Sequence, residues 1–334
     1  MASGEQVQEI AARKPLSLEN GQEIQPLPRG EVLKQTDHDI FTFDGFRHEL
    51  YTTLPKSLSS TSPHIFIYPG FLEHAGEGIG KRFHETLASF LPHANITSTA
   101  TDGFGPRAEH RYGWKDRTKH NLEAMGYSRA ALIEEIVPEA APIIFVGTSM
   151  GTIIIKEVAK SLSEKRQSQV SGGVLNAPAL VEQGSEDDKF AHLRAFGRFI
   201  FSTVPDVAVE IFKTPPKHLL SELSCLVDSG HLSKDDILPL GNLLIDILGG
   251  SKTADIDYML GCFNEAPFSV VLGSQDPVGE YKKWLLRQAL HKHLNIVPVE
   301  GRSHGIVINP VRNGRVVARE LYEHGIIEPL EAAA

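Results

Sequence analysis

Short apolar runs alternate with amphipathic segments along much of the chain, and this pattern predicts strands and helices in turn. The runs HIFIYPG (64–70), APIIFVG (141–147) and PFSVVLGSQDP (267–277) are typical of short buried strands. Segments such as KRFHETLASFLP (81–92) and MGTIIIKEVAKSLSEK (150–165) carry apolar residues at helical spacing. Further strands are predicted at 95–102, 170–180 and 294–301, and further helices at 129–137, 281–293 and 310–324. The alternation predicts an α/β fold with a mostly parallel central sheet and helices on both faces.

Three parts of the chain depart from this alternation. Residues 1–37 are polar with scattered prolines, which predicts an N-terminal arm. Residues 39–55 contain two strand-like runs around Asp44-Gly45, a dipeptide typical of hairpins. Residues 181–263 carry helical patterns without a clear strand between them, which predicts an inserted helical cap. We therefore expect an arm over 1–37, a core over 38–180 and 264–330, and a cap over 181–263.

A serine lies between two glycines at the predicted strand–helix junction of IIFVGTSMGTIII (143–155). Gly147, Ser149 and Gly151 form the G-x-S-x-G pattern of a nucleophile elbow, in which the serine occupies a sharp turn and the glycines allow close packing. The N–H of Met150, at the start of the helix, is a natural donor to an oxyanion. A tight turn with a solvent-facing serine is the alternative, and the strand–motif–helix context favours the nucleophile.

Two further residues complete a series of serine, acid and histidine in the chain order that this architecture uses. Asp276 lies at the carboxyl end of the predicted strand segment 267–277, and His304 follows the predicted strand of residues 294–301. Because catalytic groups collect at the carboxyl ends of parallel strands, we expect both side chains to lie beside Ser149. A turn aspartate before Pro277 and a surface histidine are the alternatives.

The loop YPGFLEHAGEGIG (68–80) follows the third strand and is expected to supply the second oxyanion donor. Gly70 lets the backbone approach the site, the N–H of Phe71 is the expected donor, and Leu72 is the alternative donor. We also assign Gly70 and Leu72 to the substrate-binding surface. The segment AGEGIGKR (75–82) lacks the first glycine and the final serine or threonine of a phosphate-binding loop.

The pieces PGFLEHAGEG, TDGFG and GTSMGT resemble three motifs of the monoacylglycerol lipase and lysophospholipase group. Those motifs are the loop H-G-x-G-E-H-x-G, the D-x-x-G-x-G after the fourth strand, and G-H-S-M-G-G. The resemblance implies the α/β-hydrolase fold over residues 39–325 and a serine hydrolase that acts on lipophilic esters. The chain departs from the motifs at Pro69, Leu72, Gly105, Thr148 and Thr152. The acyl preference of the group is therefore not carried over to this chain.

Apolar helical faces in the predicted cap favour a lipophilic substrate. Leu240 and Leu244 are expected to line a pocket over the site, and the alternative is that they join the cap to the core. We expect an acyl-enzyme reaction on a small-molecule carboxylic ester or lactone, with no cofactor and no metal. A serine acyltransferase or a carbon–carbon bond hydrolase would use the same triad. A non-catalytic, ligand-binding hydrolase relative is the alternative from another class.

Composition narrows the range of partners. The 334-residue chain has 33 Lys plus Arg and 42 Asp plus Glu, and its net charge of −9 favours neither nucleic-acid nor anionic-membrane binding. The 2 cysteines have no zinc spacing, and no segment looks like a signal peptide or a membrane span, so we expect a soluble cytoplasmic protein. His291 and His293 lack a third ligand at metal spacing and are predicted at a surface helix end. The sequence leaves a homodimer open.

Overall fold

An eight-stranded sheet forms the centre of the computed structural model. The structure describes residues 14–27, 34–43, 46–55, 59–70, 76, 78–100, 121–179, 254–263, 266–276, 281–302 and 309–328. The strands in these residues are β1 (Leu16–Ser17), β2 (Glu23–Ile24), β3 (Lys34–Phe43), β4 (Phe46–Leu54), β5 (His64–Tyr68), β6 (Asn95–Thr99), β7 (Ile143–Thr148), β8 (Val170–Asn176), β9 (Phe268–Gly273) and β10 (Leu294–Val299). The helices are α1 (Gly78–Phe90), α2 (Asn121–Ile136), α3 (Met150–Ser161), α4 (Glu164–Gln167), α5 (Ala254–Cys262), α6 (Tyr281–Leu290) and α7 (Pro310–Glu323).

The central sheet is mostly parallel, which confirms the prediction from the sequence. Its strand order is β10-β9-β8-β7-β5-β6-β4-β3, and β1 pairs with β2 in a separate two-stranded sheet. Strand β4 runs antiparallel to β3 and β6, whereas the other neighbouring pairs are parallel. The parallel strands therefore end at one edge of the sheet, where the residues that follow them are collected.

The first two strands of this sheet form the predicted hairpin. Phe43 at the end of β3 is paired with Phe46 at the start of β4, on either side of Asp44-Gly45. At the far end of the hairpin, Lys34 is paired with Leu54. Strand β3 thus begins inside the segment that the sequence assigns to the arm.

Helices cover both faces of the sheet, and each face has its own apolar cluster. Alternate side chains of β5 point to opposite faces. Ile65 and Ile67 belong to the cluster under α1 and α7, whereas Phe66 and Tyr68 belong to the cluster under α2, α3, α5 and α6. Burial on both sides explains why the central strands read as continuous apolar runs in the sequence.

Residues 14–27 pack against α1 and α7. Leu16 and Leu18 are buried in the cluster under α1 and α7. The guanidinium of Arg315 on α7 donates to the backbone carbonyl oxygens of Lys14 and Pro15, at 2.5 Å and 2.7 Å. This part of the predicted arm is therefore docked on the core.

The end of the predicted cap segment contacts the layer of α3. Helix α5 carries the buried residues Ile256 and Met259, and Phe263 follows it, in the same cluster as Ile154 of α3. Most of the predicted cap, residues 181–253, lies outside the described residues. The boundary between core and cap stays a prediction.

Candidate active site

Ser149 lies between β7 and α3 in a backbone conformation that L-residues rarely adopt. Its φ of 50° and ψ of −112° imply strain of about 1–3 kcal/mol. Its N–H donates to the carbonyl oxygen of Asn176 at 2.9 Å, and its own carbonyl oxygen accepts from the N–H groups of Thr152 at 3.1 Å and Ala179 at 3.3 Å. Serine is a common helix cap, yet this side chain makes no capping hydrogen bond to α3. Bonds from two neighbouring elements therefore hold the strained turn.

Both glycines of the motif are required by neighbouring backbone. A Cβ at Gly147 would lie 2.6 Å from Cδ1 of Ile155 and 2.9 Å from the nitrogen of Thr152. A Cβ at Gly151 would overlap the carbonyl oxygen of Tyr68 and lie 2.7 Å from its carbonyl carbon. Strand β7, helix α3 and the end of β5 thus approach each other as closely as the sequence pattern predicts.

The start of α3 and the end of β5 lie beside the serine. Met150 is the first residue of α3 and is fully buried. The N–H groups of the first helical turn have no partner within the helix, and the helix dipole makes this end favourable for negative charge. Tyr68 is paired with Gly147, so the chain passes the elbow as it continues to Gly70. Phe71 and Leu72, the two candidates for the second donor, lie outside the described residues.

Asp276 lies at the same edge of the sheet, in a tight turn after β9. Its N–H donates to the carbonyl oxygen of Gly273 at 3.0 Å, and the residue is 4% exposed. Strand β8 separates β9 from the serine-bearing β7. The structure therefore brings Ser149 and Asp276 to one edge of the sheet.

The turn after β9 is bonded to the turn after β10. The N–H of Gln275 donates to the carbonyl oxygen of Arg302 at 2.9 Å, and the N–H of Gly301 donates to Oγ of Ser274 at 3.1 Å. His304, two positions beyond Arg302, lies outside the described residues. The pocket residues Leu240 and Leu244 lie outside them as well.

Two residues that the sequence does not single out support the elbow from β8. Asn176 accepts the hydrogen bond from the Ser149 N–H and is paired in register with Thr148. Ala177 has a φ of 44° and donates its N–H to the carbonyl oxygen of Val271 at 2.7 Å. Their position after a parallel strand is the one signal that could have identified them.

A buried arginine contacts the residue that follows β6. Arg129 of α2 is 2% exposed, and it donates to the carbonyl oxygen of Ala100 at 2.7 Å. Its other terminal nitrogen lies 2.8 Å from Oγ of Ser128 and 3.0 Å from Nδ1 of His48. Burial raises the pKa of the Tyr68 hydroxyl, and the Arg129 charge opposes this increase. Tyr68 is therefore neutral, and the cation holds the backbone of Ala100 at the end of β6.

The described residues hold no group of three or more His, Cys, Asp or Glu side chains arranged to bind a metal ion. Nε2 of His291 lies 3.1 Å from the carboxylate of Asp257, which joins α6 to α5. In the part of the chain that the structure describes, none of the helices has the length and the apolar character needed to cross a bilayer.

Comparison with known proteins identifies the fold. No family model matches the sequence, and no curated protein matches it either. A thermophilic esterase from Thermogutta terrifontis overlays with a TM-score of 0.56 at 16% identity, over 87% of this chain and 99% of the esterase. A haloalkane dehalogenase variant from Bradyrhizobium elkanii gives 0.55 at 14% identity, over 88% and 98%. A thioesterase domain from the curacin biosynthetic pathway gives 0.52 at 16% identity, over 85% and 99%.

These proteins carry out different reactions, so the overlays bear on architecture alone. Each overlay covers 85% or more of this chain and nearly all of the other protein, so it is the whole architecture that is shared. The chain has the α/β-hydrolase fold.

Proposed function

We propose that this protein is a serine hydrolase that cleaves a carboxylic ester through an acyl-enzyme. The observation that carries the proposal is the strained backbone of Ser149 between a buried strand and a helix N-terminus. Strain of this kind persists where the surrounding structure holds it, and it is concentrated at functional sites. The helix start behind the serine favours the negative charge that develops during acyl transfer.

His304 is the proposed base, and Asp276 is the proposed acid that orients it. The hydrogen bond from Gln275 to Arg302 sets the turn that carries Asp276 beside the chain that leads to His304. This supports a pairing of the Asp276 carboxylate with one imidazole nitrogen of His304. A buried carboxylate in that position holds the ring in one tautomer and stabilises its protonated form.

The proposed reaction has two balanced steps. His304 takes the hydroxyl proton as Oγ of Ser149 bonds to the ester carbonyl carbon, and the oxyanion accepts hydrogen bonds from the N–H groups of Met150 and Phe71. Collapse breaks the bond to the leaving alcohol, which receives the proton from His304. Water then adds to the acyl carbon while His304 takes its proton, and the carboxylic acid departs as Ser149 regains its hydrogen.

The proposed substrate is a lipophilic ester, such as a monoacylglycerol-like ester or a lactone. The apolar helical pattern of the predicted cap supports this choice, with Leu240 and Leu244 over the acyl group. Gly70 and Leu72 would border the same pocket beside the oxyanion donors. A large apolar pocket also limits the access of water to the site. Because hydrolysis of the acyl-enzyme needs water, this lengthens the lifetime of the acyl-enzyme.

The test is covalent labelling with a fluorophosphonate, read by intact mass and then by peptide mapping. We expect one adduct, on Ser149, which His304→Ala abolishes. The matched control is His291→Ala, because that histidine directly follows α6 and contacts Asp257. It should label like the unaltered protein. An adduct on another residue, or no adduct on folded protein, would contradict the proposal and favour a ligand-binding relative.

Turnover of ester substrates tests the roles of the triad. Ser149→Ala and His304→Ala should each lower kcat/KM by about 10³–10⁶-fold, and Asp276→Asn by about 10³–10⁴-fold. A panel of acyl chain lengths and lactones then defines the substrate class. Transfer of the acyl group to an added alcohol in preference to water would identify the protein as an acyltransferase.

A further inference from the structure

The exposed face of helix α6 is apolar. Trp284 is fully buried and Arg287 is 9% exposed, so these two side chains anchor the helix on the core. On the opposite side, Leu285 is 41% exposed, Leu286 is 70% exposed and Leu290 is 75% exposed. Single exposed apolar residues are normal at a protein surface, but three on one helix form a contiguous patch. These three leucines are the α6 patch.

Cations flank the α6 patch, and the segment that forms it carries no carboxylates of its own. Residues 281–299 contain no Asp or Glu, although the whole chain has a net charge of −9. Lys282 and Lys292 are exposed at the two ends of the patch. The local charge of this surface is therefore opposite to that of the molecule.

The carboxylate of Asp257 on α5 faces the same helix, and it is already bound. Its Oδ1 lies 3.4 Å from Nε of Arg287 and 3.1 Å from Nε2 of His291. Arg287 therefore serves the contact between α5 and α6, whereas the two flanking lysines stay exposed.

We propose that the α6 patch docks on an anionic phospholipid surface. The leucines would enter the boundary between headgroups and acyl chains, and Lys282 and Lys292 would contact lipid phosphates. A second copy of the chain would bring the lysines of both copies together, which opposes a symmetric contact. A nucleic acid bound to this surface would contact the lysines and leave the leucines exposed to water. An anionic bilayer satisfies both parts of the surface.

This docking does not depend on the proposed reaction. It is an exception to the expectation, based on net charge, that the protein does not bind anionic membranes. The net charge of −9 argues against binding to anionic membranes for the surface as a whole. A helix that lies in the membrane interface responds to its local charges within about 10 Å at 0.1 M ionic strength, so the α6 patch acts separately.

Sedimentation of the full chain with vesicles tests the proposal. Vesicles of phosphatidylcholine mixed with phosphatidylserine should carry the protein into the pellet, and added salt should release it because screening weakens the lysine contacts. Vesicles of phosphatidylcholine alone should bind it weakly. Leu286→Gln with Leu290→Gln should weaken binding to the mixed vesicles at least about tenfold. Lys282→Glu with Lys292→Glu should do the same, since each lysine contributes about fivefold.

Matched controls alter the same kinds of residue elsewhere. Tyr127→Gln replaces an apolar side chain of α2 that is 58% exposed. Lys81→Glu with Lys165→Glu makes the same change in net charge, at side chains that are 42% and 61% exposed. Both controls, and Ser149→Ala, should bind vesicles like the unaltered protein. Circular dichroism and thermal melts verify that each variant is folded.

Three results would overturn the proposal. The first is no binding of the unaltered protein to the mixed vesicles at low salt. The second is an equal loss of binding in the control and α6 variants. The third is a concentration-dependent dimer that the leucine variants abolish while vesicle binding stays unchanged, because the patch would then be a contact between two copies.

Discussion

His84 and His64 are both buried, but their surroundings differ. Nε2 of His84 on α1 lies 2.5 Å from Oγ1 of Thr53, and its Nδ1 lies 2.6 Å from Oγ of Ser98. A neutral imidazole has one donor and one acceptor nitrogen, so it satisfies both hydroxyls. Neither ring nitrogen of His64 on β5 has a hydrogen-bond partner among the described residues. His84 thus connects α1, β4 and β6 by hydrogen bonds, whereas His64 fills space in the core without them.

Replacement of each histidine by phenylalanine should separate these roles. His84→Phe leaves two buried hydroxyls unsatisfied and should lower the free energy of unfolding by about 2–5 kcal/mol. His64→Phe removes a buried polar group without such partners and should change it by less than about 1 kcal/mol. Urea unfolding near neutral pH measures both values. Equal losses for the two variants would show that the hydroxyl network contributes nothing.

Residues with a local sequence signature are the ones that the sequence predicts. Ser149 and its two glycines are recognised from five consecutive positions, because strand, turn and helix are adjacent in the chain. Asn176 and the hydroxyl partners of His84 depend on contacts between distant segments. A single sequence contains no direct signal for such contacts. The same limit applies to the partner of Asp276, whose pairing with His304 stays a prediction.

Most strands and helices of the described core lie where the pattern of apolar residues predicts them. The ends of some helices differ from the prediction, because they depend on contacts that the pattern does not show. Helix α2 begins at Asn121, before its predicted start at residue 129. Glycine has a low helix propensity, so Gly126 argues against a helix at this position in the sequence. In the structure, however, a Cβ at Gly126 would lie 2.6 Å from the backbone carbon of Glu157 on α3. The glycine is therefore explained by the close packing of α2 on α3, which the sequence does not show.

Helix α3 ends earlier than predicted for a similar reason. The sequence predicts one helix over residues 150–165, whereas α3 ends at Ser161. Leu162 takes an extended conformation, and Oγ of Ser163 then accepts from the N–H of Arg166 and caps α4. The predicted single helix is wrong at this end, because a serine cap competes with continuation of the helix.

The docked segment 14–27 gives a prediction at the scale of elements. Arg315→Ala removes two hydrogen bonds to this segment and the contact of the guanidinium with the ring of Phe90, at 5.2 Å from its centroid. The amide of Leu27, which donates to Ser89 on α1, should then exchange with solvent at least about tenfold faster. Hydrogen exchange followed by mass spectrometry measures this rate.

Arg319→Ala provides the control on the same helix. Arg319 forms ion pairs with Glu320 and Glu323 of α7 itself. Its loss should leave the exchange of the Leu27 amide near the rate of the unaltered protein. Similar acceleration in both variants would mean that α7, and not the docking of the segment, has been weakened.

At the scale of the whole molecule, the sequence predicts the class of sheet and not the order of its strands. Alternating strands and helices indicate a parallel sheet, and this is confirmed. The positions of β7, β8 and β9 as neighbours come from long-range pairing. That order matters for the site, because it brings the turn of Asp276 within two strands of Ser149.

Buried histidines make the stability of the whole molecule depend on pH. Burial lowers the pKa of His64 to about 4, with a further contribution from Arg166, and burial lowers the pKa of His84 to about 3. The unfolded chain binds protons at these sites below pH 6.5, where the native state does not. Stability is therefore complete above pH 6.5 and falls as the pH is lowered toward the native pKa values.

Comparison of the unaltered protein with His64→Phe isolates one of these groups. Between pH 6.5 and about 4, the free energy of unfolding of the unaltered protein should fall more steeply, by about 1.4 kcal/mol per pH unit. Chemical unfolding at several pH values measures the two slopes. Parallel slopes would show that His64 is protonated in the native state.

The contact of α7 with residues 14–19 and with α1 has a consequence for synthesis of the chain. Arg315 bonds to Lys14 and Pro15 across about 300 positions, and Gly314 packs on Thr86 of α1. On the ribosome, the apolar layer under α1 stays uncovered until α7, which follows every strand of the central sheet in the chain, has emerged. A nascent chain of this protein therefore exposes one side of its central sheet until α7 has emerged, and we expect it to depend on chaperones during that interval.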